Sequence, residues 1–305
     1  MEEPNLSVEI SGFRMKNPLM LASGVLGISI GSLRRVHEAG AGAVVTKSIG
    51  YEPRVGYDNP TLVEVHGGYL NAIGLSNPGV KEFCKELSRS KIDDLPLVVS
   101  LFGAEPSEFK DMVSMLDGLK IKAYELNLSC PHVKGFGVEV GQDSRAIREI
   151  VEAVKEESGK TLFVKLSPNV TDMVKIAKVA EDAGADALTL INTIRAMSID
   201  TETFRPILAN KVGGLSGPAI KPIAIRCVYE VSKAVKIPII GCGGVVDWQD
   251  AIEFFLAGAQ AVQLGTVIAY RGPDIFEEIK RGIRNYLITK GRKSVREIVG
   301  LAHDF

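Results

Sequence analysis

The sequence predicts an α/β fold: a (β/α)8 TIM barrel with a short N-terminal β-hairpin and long loops on the C-terminal face. Three observations carry this. Eight short apolar runs alternate with amphipathic stretches along the 305 residues, the pattern of a parallel sheet covered on both faces. Glu38-Ala-Gly-Ala, Asp182-Ala-Gly-Ala and Leu256-Ala-Gly-Ala each close a helix just before an apolar strand. Glycine there permits a left-handed helix stop, and alanine lets helix and strand pack closely. Finally, the segments Tyr51 to Gly79 and Arg195 to Gly217, rich in Gly, Pro and Asn, break the rhythm after strands. Long loops so placed lie on the face where barrels build their sites. The length suits one barrel, so residues 1–305 are expected to form a single domain.

Taken in order, Ser7 to Ile10 turns at Ser11-Gly12 and returns through Phe13 to Met15, a hairpin that caps one end. Barrel strands follow at Pro18 to Ala22, Ala43 to Thr46, Leu97 to Ser100 and Ala123 to Leu128. The remaining four are Leu162 to Leu166, Ala187 to Ile191, Ile237 to Ile240 and Ala261 to Leu264. Amphipathic helices such as Arg145 to Glu157 and Ile220 to Ala234 lie between them.

The formal net charge of −1 leaves no electrostatic footprint for nucleic acid. No apolar run is long enough to cross a bilayer. The acidic start Met-Glu-Glu-Pro-Asn lacks the regions of a signal peptide, so the cytoplasm is the expected location. Cys84, Cys130, Cys227 and Cys242 are scattered without a Cys-x-x-Cys pair. That spacing argues against a disulfide framework, a zinc site or an iron–sulfur cluster held by this chain alone.

The informative polar residues fall where strands end. Thr46-Lys47-Ser48 ends the second strand, Asn127 and Cys130 the fourth, Lys165 the fifth and Asn192-Thr193 the sixth. Gly243-Gly244 and Gly265-Thr266 follow the seventh and eighth, the usual phosphate site of barrels. Lys165 stands in an apolar strand, and a buried lysine needs a partner. It is either paired with a carboxylate such as Glu125 or held as a fixed cation beside an electron-accepting ring. Cys130 lies at the mouth of a loop spaced by Gly135, Gly137 and Gly141. A thiol with an ordinary pKa of about 8.5 suits a general base for a weak carbon acid. Cys84 and Cys227 read as packing, and Cys242 as close packing under a phosphate. No Gly-x-Gly-x-x-Gly occurs, so no Rossmann site for a nicotinamide cofactor is expected.

Four motifs together resemble class 1 dihydroorotate dehydrogenases: Asn127-Leu-Ser-Cys-Pro, Asn71-Ala-Ile-Gly-Leu-Ser-Asn-Pro-Gly, Gly213-Gly-Leu-Ser-Gly-Pro-Ala-Ile-Lys-Pro and Ile240-Gly-Cys-Gly-Gly-Val. The resemblance covers essentially the whole chain, and the form of the Asn71 motif is closest to class 1B, the NAD-linked catalytic subunit. It implies an FMN-containing barrel that oxidises dihydroorotate to orotate in pyrimidine (UMP) biosynthesis. Carried over by motif, Cys130 takes the C5 proton while the C6 hydride goes to flavin N5. Lys47, Asn71, Ala72, Ile73, Gly74, Leu75, Asn127, Asn192 and Thr193 would hold the substrate. Ser23, Lys47, Ser48, Asn127, Lys165 and Ile191 would line the flavin, with Gly217, Gly243, Gly244, Gly265 and Thr266 around its phosphate. His132 and Ser100 stand where the family usually carries Asn.

Class 1B further implies a partner subunit that carries FAD and a [2Fe–2S] cluster and passes electrons to NAD, with a homodimer of catalytic chains inside a heterotetramer. Two enzyme alternatives are a class 1A enzyme acting alone with fumarate, and a phosphate-binding barrel isomerase or synthase without flavin. A third is a barrel kept as a scaffold, which would have no use for four polar residues converging on one face.

Overall fold

The computed structural model describes residues 3–128 and 141–304. Its first elements are the antiparallel pair β1 (Val8–Ile10) and β2 (Phe13–Met15), in the register Ile10 opposite Phe13. Eight parallel strands then close into a barrel. They are β3 (Leu19–Leu21), β4 (Ala43–Val45), β7 (Leu97–Leu101), β8 (Ala123–Asn127), β9 (Thr161–Leu166), β10 (Ala187–Leu190), β15 (Ile239–Cys242) and β16 (Ala261–Leu264). Around the ring they run β3, β4, β7, β8, β9, β10, β15, β16 and back to β3.

The helices follow the strands they cover: α1 (Ile30–Glu38), α2 (Val80–Arg89), α3 (Pro106–Leu116), α4 (Ser144–Glu157), α5 (Met173–Asp182), α6 (Lys221–Ser232), α7 (Trp248–Leu256), α8 (Val267–Arg271) and α9 (Ile275–Thr289). The repeated Ala-Gly-Ala stops behave as their chemistry requires. Gly40, Gly184 and Gly258 have φ of 110°, 101° and 115°. The next alanine in each case donates back across the turn: Ala41 to Val36, Ala185 to Ala180 and Ala259 to Phe254. This is the Schellman closure, which satisfies an orphan carbonyl and turns the chain into the strand.

Strand alternation sorts the side chains. Tyr124, Leu126, Leu188 and Leu190 point outward into the layer packed by the helices. Met20, Val45, Val98, Phe163 and Ile240 point inward and meet Ile10, Phe13 and Met15 of the hairpin. The hairpin therefore plugs the N-terminal end with apolar side chains, and the chemistry is left to the other end.

Two expectations are corrected. The seventh strand starts at Ile239, not Ile237, and runs on to Cys242. Pro238 has no N–H to give to the ladder, but its carbonyl accepts from Leu188 at 3.0 Å, which suits a lead-in position. The two long insertions are also not merely loops. They contain β5 (Leu62–Val65), β6 (Gly68–Asn71), β11 (Ile194–Ala196) and β14 (Gly213–Ser216), which form an antiparallel sheet in the order β11-β14-β6-β5. A smaller pair, β12 (Ile199–Asp200) and β13 (Arg205–Pro206), extends from it. Their glycines serve close strand approach: a Cβ on Gly68 would stand 1.8 Å from the Ser216 carbonyl oxygen.

Candidate active site

A cavity of about 430 Å³ opens at the C-terminal end of the barrel. The barrel strand ends line one side, and Leu62, Tyr69 and Asn71 of the antiparallel sheet line another. Three neighbouring strands explain its polar floor. Asn127 and Thr189 both stand opposite Lys165 in register, so β8, β9 and β10 turn polar side chains inward at one height. Phe163 and Ala187 lie one inward step below, level with Glu125, and Ala123 a further step down; these three belong to the apolar plug.

The floor is a buried network. Lys165, 4% exposed, donates from Nζ to Gln263 Oε1 at 2.8 Å. Gln263 Nε2 donates to Glu125 Oε2 at 2.6 Å, and Thr189 Oγ1 donates to the same oxygen at 3.0 Å. The second Glu125 oxygen is 4.0 Å from Lys165 Nζ. Lys165 therefore faces a carboxylate and also lines the cavity. Burial by itself would lower the ammonium's pKa, but Cys242 and Glu125 beside it outweigh that, and it stands above the ordinary lysine value. Burial pushes the Cys242 thiol up, although Lys165 opposes the shift. At neutral pH Cys242 is thus a neutral thiol, and the fixed countercharge to Lys165 comes from Glu125.

A second network fixes the wall. Ser48 Oγ lies 3.2 Å from Ser23 Oγ and 2.9 Å from Ser100 Oγ. It also accepts from Asn127 Nδ2 at 2.9 Å. Asn127 Oδ1 in turn accepts from Asn192 Nδ2 at 3.2 Å. Both ends of the Asn127 amide are therefore assigned by their partners. Ser100 is fully buried and its N–H donates to Thr46 Oγ1 at 2.9 Å. It props Ser48 from below and does not line the cavity. Asn71 Nδ2 donates to the Gly214 carbonyl at 3.0 Å, which ties the first insertion to the second.

The phosphate expectation meets a fitting shape. Gly217, Gly243 and Gly244 have φ of 105°, 125° and 82°, and all three line the cavity with Gly265 and Thr266. A Cβ on Gly244 would lie 2.7 Å from Lys221 Cβ and 2.9 Å from the Gly217 carbonyl oxygen. Among the described residues, the Gly244 N–H has no hydrogen-bond acceptor, whereas the Gly243 N–H is turned toward β16 in the parallel ladder. Both glycines sit close to the start of α6, and Thr266 Oγ1 donates to Ser216 Oγ at 2.8 Å. A bare N–H beside a helix start is what an anion needs.

The structure brings the described candidates together. Ser23, Lys47, Ser48, Asn71, Ile73, Gly74, Leu75, Asn127, Lys165, Ile191, Asn192, Thr193 and the loop residues above all line the cavity. Ala72 does not: strand alternation sends its side chain into a small core with Leu70 and Leu208, and its N–H donates to the Thr61 carbonyl. Any contact it makes with a ligand is therefore not through its methyl group. Cys130 and His132 lie outside the described residues. Sequence reasoning missed Gln263, Tyr69 and Ser216, and underrated Cys242, all of which line the cavity. Gln263 carried a usable signal, a polar residue inside an apolar strand, the same one that drew attention to Lys165.

Comparison with known proteins agrees. The chain matches the family model described as Dihydroorotate dehydrogenase over residues 5–287. It is similar to three proteins named Dihydroorotate dehydrogenase B (NAD(+)), catalytic subunit. The Pyrococcus horikoshii protein is 52% identical over 97% of this chain and 97% of its own length. Those of Pyrococcus furiosus and Methanothermobacter thermautotrophicus are each 51% identical over 98% of this chain and 99% of their own lengths.

Proposed function

Because the chain belongs to the dihydroorotate dehydrogenase family, we propose that this cavity oxidises dihydroorotate to orotate with FMN as the resident cofactor. One observation carries the reading. Lys47, Asn127, Lys165, Asn192 and the glycines after β15 and β16, gathered from distant parts of the chain, line a single cavity. The residues fit the cofactor, with a cradle that a Cβ would fill at one end and a fixed cation at the other. When bound, FMN supplies the acceptor for the electron pair that leaves the substrate.

The chain's own residues do the rest. Lys47 supplies positive charge for the substrate carboxylate, and the amides of Asn71, Asn127 and Asn192 orient its polar ring edge. Their hydrogen bonds to Ser48 and Gly214 hold those amides in place beforehand, so little ordering remains to be done on binding. Cys130 accepts the C5 proton. Lys165 stabilises negative charge that builds on a bound ring, in a site shielded from water. Gly217, Gly243, Gly244, Gly265 and Thr266 receive the phosphate. In this reading residues 1–305 are one FMN-binding domain, at work in the cytoplasm.

The name that the relatives share, catalytic subunit, implies a second subunit. We assign to it the FAD and [2Fe–2S] centres that lead to NAD, and we expect two catalytic chains to pair within a heterotetramer. No helix among the described residues is long and apolar enough to cross a membrane. The test is spectroscopic: the purified chain should be yellow, and anaerobic dihydroorotate should bleach its visible band with formation of orotate. A colourless protein that binds no FMN would refute the reading.

A further inference from the structure

The floor of the cavity contains a side chain that no part of the reaction above uses. Gln263 is 1% exposed and sits between two opposite charges. Its Oε1 accepts from Lys165 at 2.8 Å, and its Nε2 donates to Glu125 at 2.6 Å. An ammonium only donates and a carboxylate only accepts, so the amide has one workable orientation. Flipping it would set NH2 against NH3+ and oxygen against carboxylate.

The spacing is as informative as the bonds. A buried lysine facing a buried carboxylate would ordinarily close on it directly, with hydrogen bonds of about 2.8 Å. Here Glu125 Oε1 has no hydrogen-bond partner and stays 4.0 Å from Lys165 Nζ. Glu125 is anchored instead through its other oxygen, by Gln263 and Thr189. The amide thus holds the ammonium off the carboxylate at the cavity floor. The ammonium still has N–H groups to offer upward, and Lys165 and Cys242 both line the cavity.

We infer that Gln263 is a positioning residue: it keeps the Lys165 ammonium raised toward a bound ring and prevents its collapse onto Glu125. This rests on the flavin reading above. Three groups face Lys165 from the strands packed around it: Glu125 from β8, Gln263 from β16 and Cys242 from β15. Glu125 carries the countercharge, Cys242 is a neutral thiol at neutral pH, and Gln263 does not titrate. An apolar side chain of similar length at 263 would leave nothing between the charges. The ammonium would then pair directly with Glu125 and do less for charge developing above it.

The experiment compares the flavin-loaded parent with Gln263→Met and Gln263→Glu. Three quantities are read: the midpoint potential of the bound flavin, the affinity for orotate, and the Lys165 ammonium resonance in chain labelled with 15N-lysine. In Gln263→Met, reduction of the bound flavin should become about tenfold less favourable, a shift of about 30 mV to lower potential for a two-electron couple. Orotate affinity should stay near the parental value, and the Lys165 resonance should move. Gln263→Glu places a second carboxylate beside the lysine and should lower the potential at least as far, which provides a reading if the Met variant does not fold. A parental potential in either folded variant would overturn the inference, as would a loss of thermal stability or flavin content with the potential of the loaded fraction unchanged. If the parent itself holds no flavin, the functional reading has failed. If the parent is loaded and reduced by dihydroorotate while the variants match it, only the role of Gln263 has failed.

Discussion

Asn127 Nδ2 donates to Ser48 Oγ at 2.9 Å, which ties the end of β8 across the barrel mouth to the end of β4, past the intervening β7. The other end of the same amide accepts from Asn192. Three strand ends thus meet in one hydrogen-bonded set. Asn127→Asp keeps the shape, and the Ser48 hydroxyl can turn to donate, so stability should change by no more than about 1 kcal/mol. A negative charge beside an anionic substrate should nonetheless weaken orotate binding by about tenfold or more. Calorimetric titration with orotate, paired with a thermal melt, separates the two effects.

Cys130→Ser should keep FMN and bind orotate, yet oxidise dihydroorotate about a hundredfold or more slowly near pH 7, the usual contribution of a general base. A hydroxyl is a far weaker acid than a thiol, so raising the pH should recover part of the rate. Single-turnover flavin reduction across a pH series is the measurement. Near-parental turnover at neutral pH would remove Cys130 from the mechanism.

Gly244→Ala tests the cradle. The residue sits at φ 82°, and its new methyl group would press on Lys221 and the Gly217 carbonyl. The left-handed conformation alone costs about 1–2 kcal/mol. The variant should fold, emerge largely colourless, and take up FMN at least about tenfold more weakly in a fluorescence titration.

Much of this was legible in the chain, for reasons that differ from residue to residue. Short apolar runs and the Ala-Gly-Ala stops act through local sterics, so their signal sits in adjacent residues. The strand starting at Ala261 is where expected, whereas the Pro238 lead-in displaced the seventh by two positions. The antiparallel sheet was not legible, because β6 pairs with β14 across a long separation and its glycines look like loop glycines. Lys165 and Asn127 stood out as polar residues at strand ends. Gln263 carried the same signal within its strand and was missed, and its role, unlike its polarity, depends on Glu125, which lies 138 positions away. Ala72 was carried in by its motif, and strand alternation turned its side chain elsewhere.

Lys165→Met leaves Glu125 buried without its cation, and breaking such a pair costs about 3 kcal/mol or more. The sign with pH follows from the raised pKa of the ammonium. A raised folded-state pKa contributes stability that is fully present below the unfolded value of about 10.4 and is lost as pH rises through the folded value. The parent's advantage over the variant should therefore be level from about pH 7 to about pH 10 and shrink at higher pH. Urea unfolding midpoints of both proteins along that series are the check, and an advantage that grows with pH would contradict the assignment.

Electron exit tests the account most directly. The isolated chain, loaded with FMN, is assayed in steady state with dihydroorotate and, in turn, an artificial dye, NAD+ and fumarate. Its sequence has no dinucleotide fingerprint and its cysteines are scattered, and in the proposed function the route to NAD+ is assigned to a partner's centres. The account predicts orotate formation coupled to dye reduction, and none coupled to NAD+ until an iron–sulfur flavoprotein subunit is added. Robust NAD+ reduction by the chain alone, or no orotate with any acceptor, would contradict it, and robust fumarate reduction would make the chain a self-sufficient enzyme.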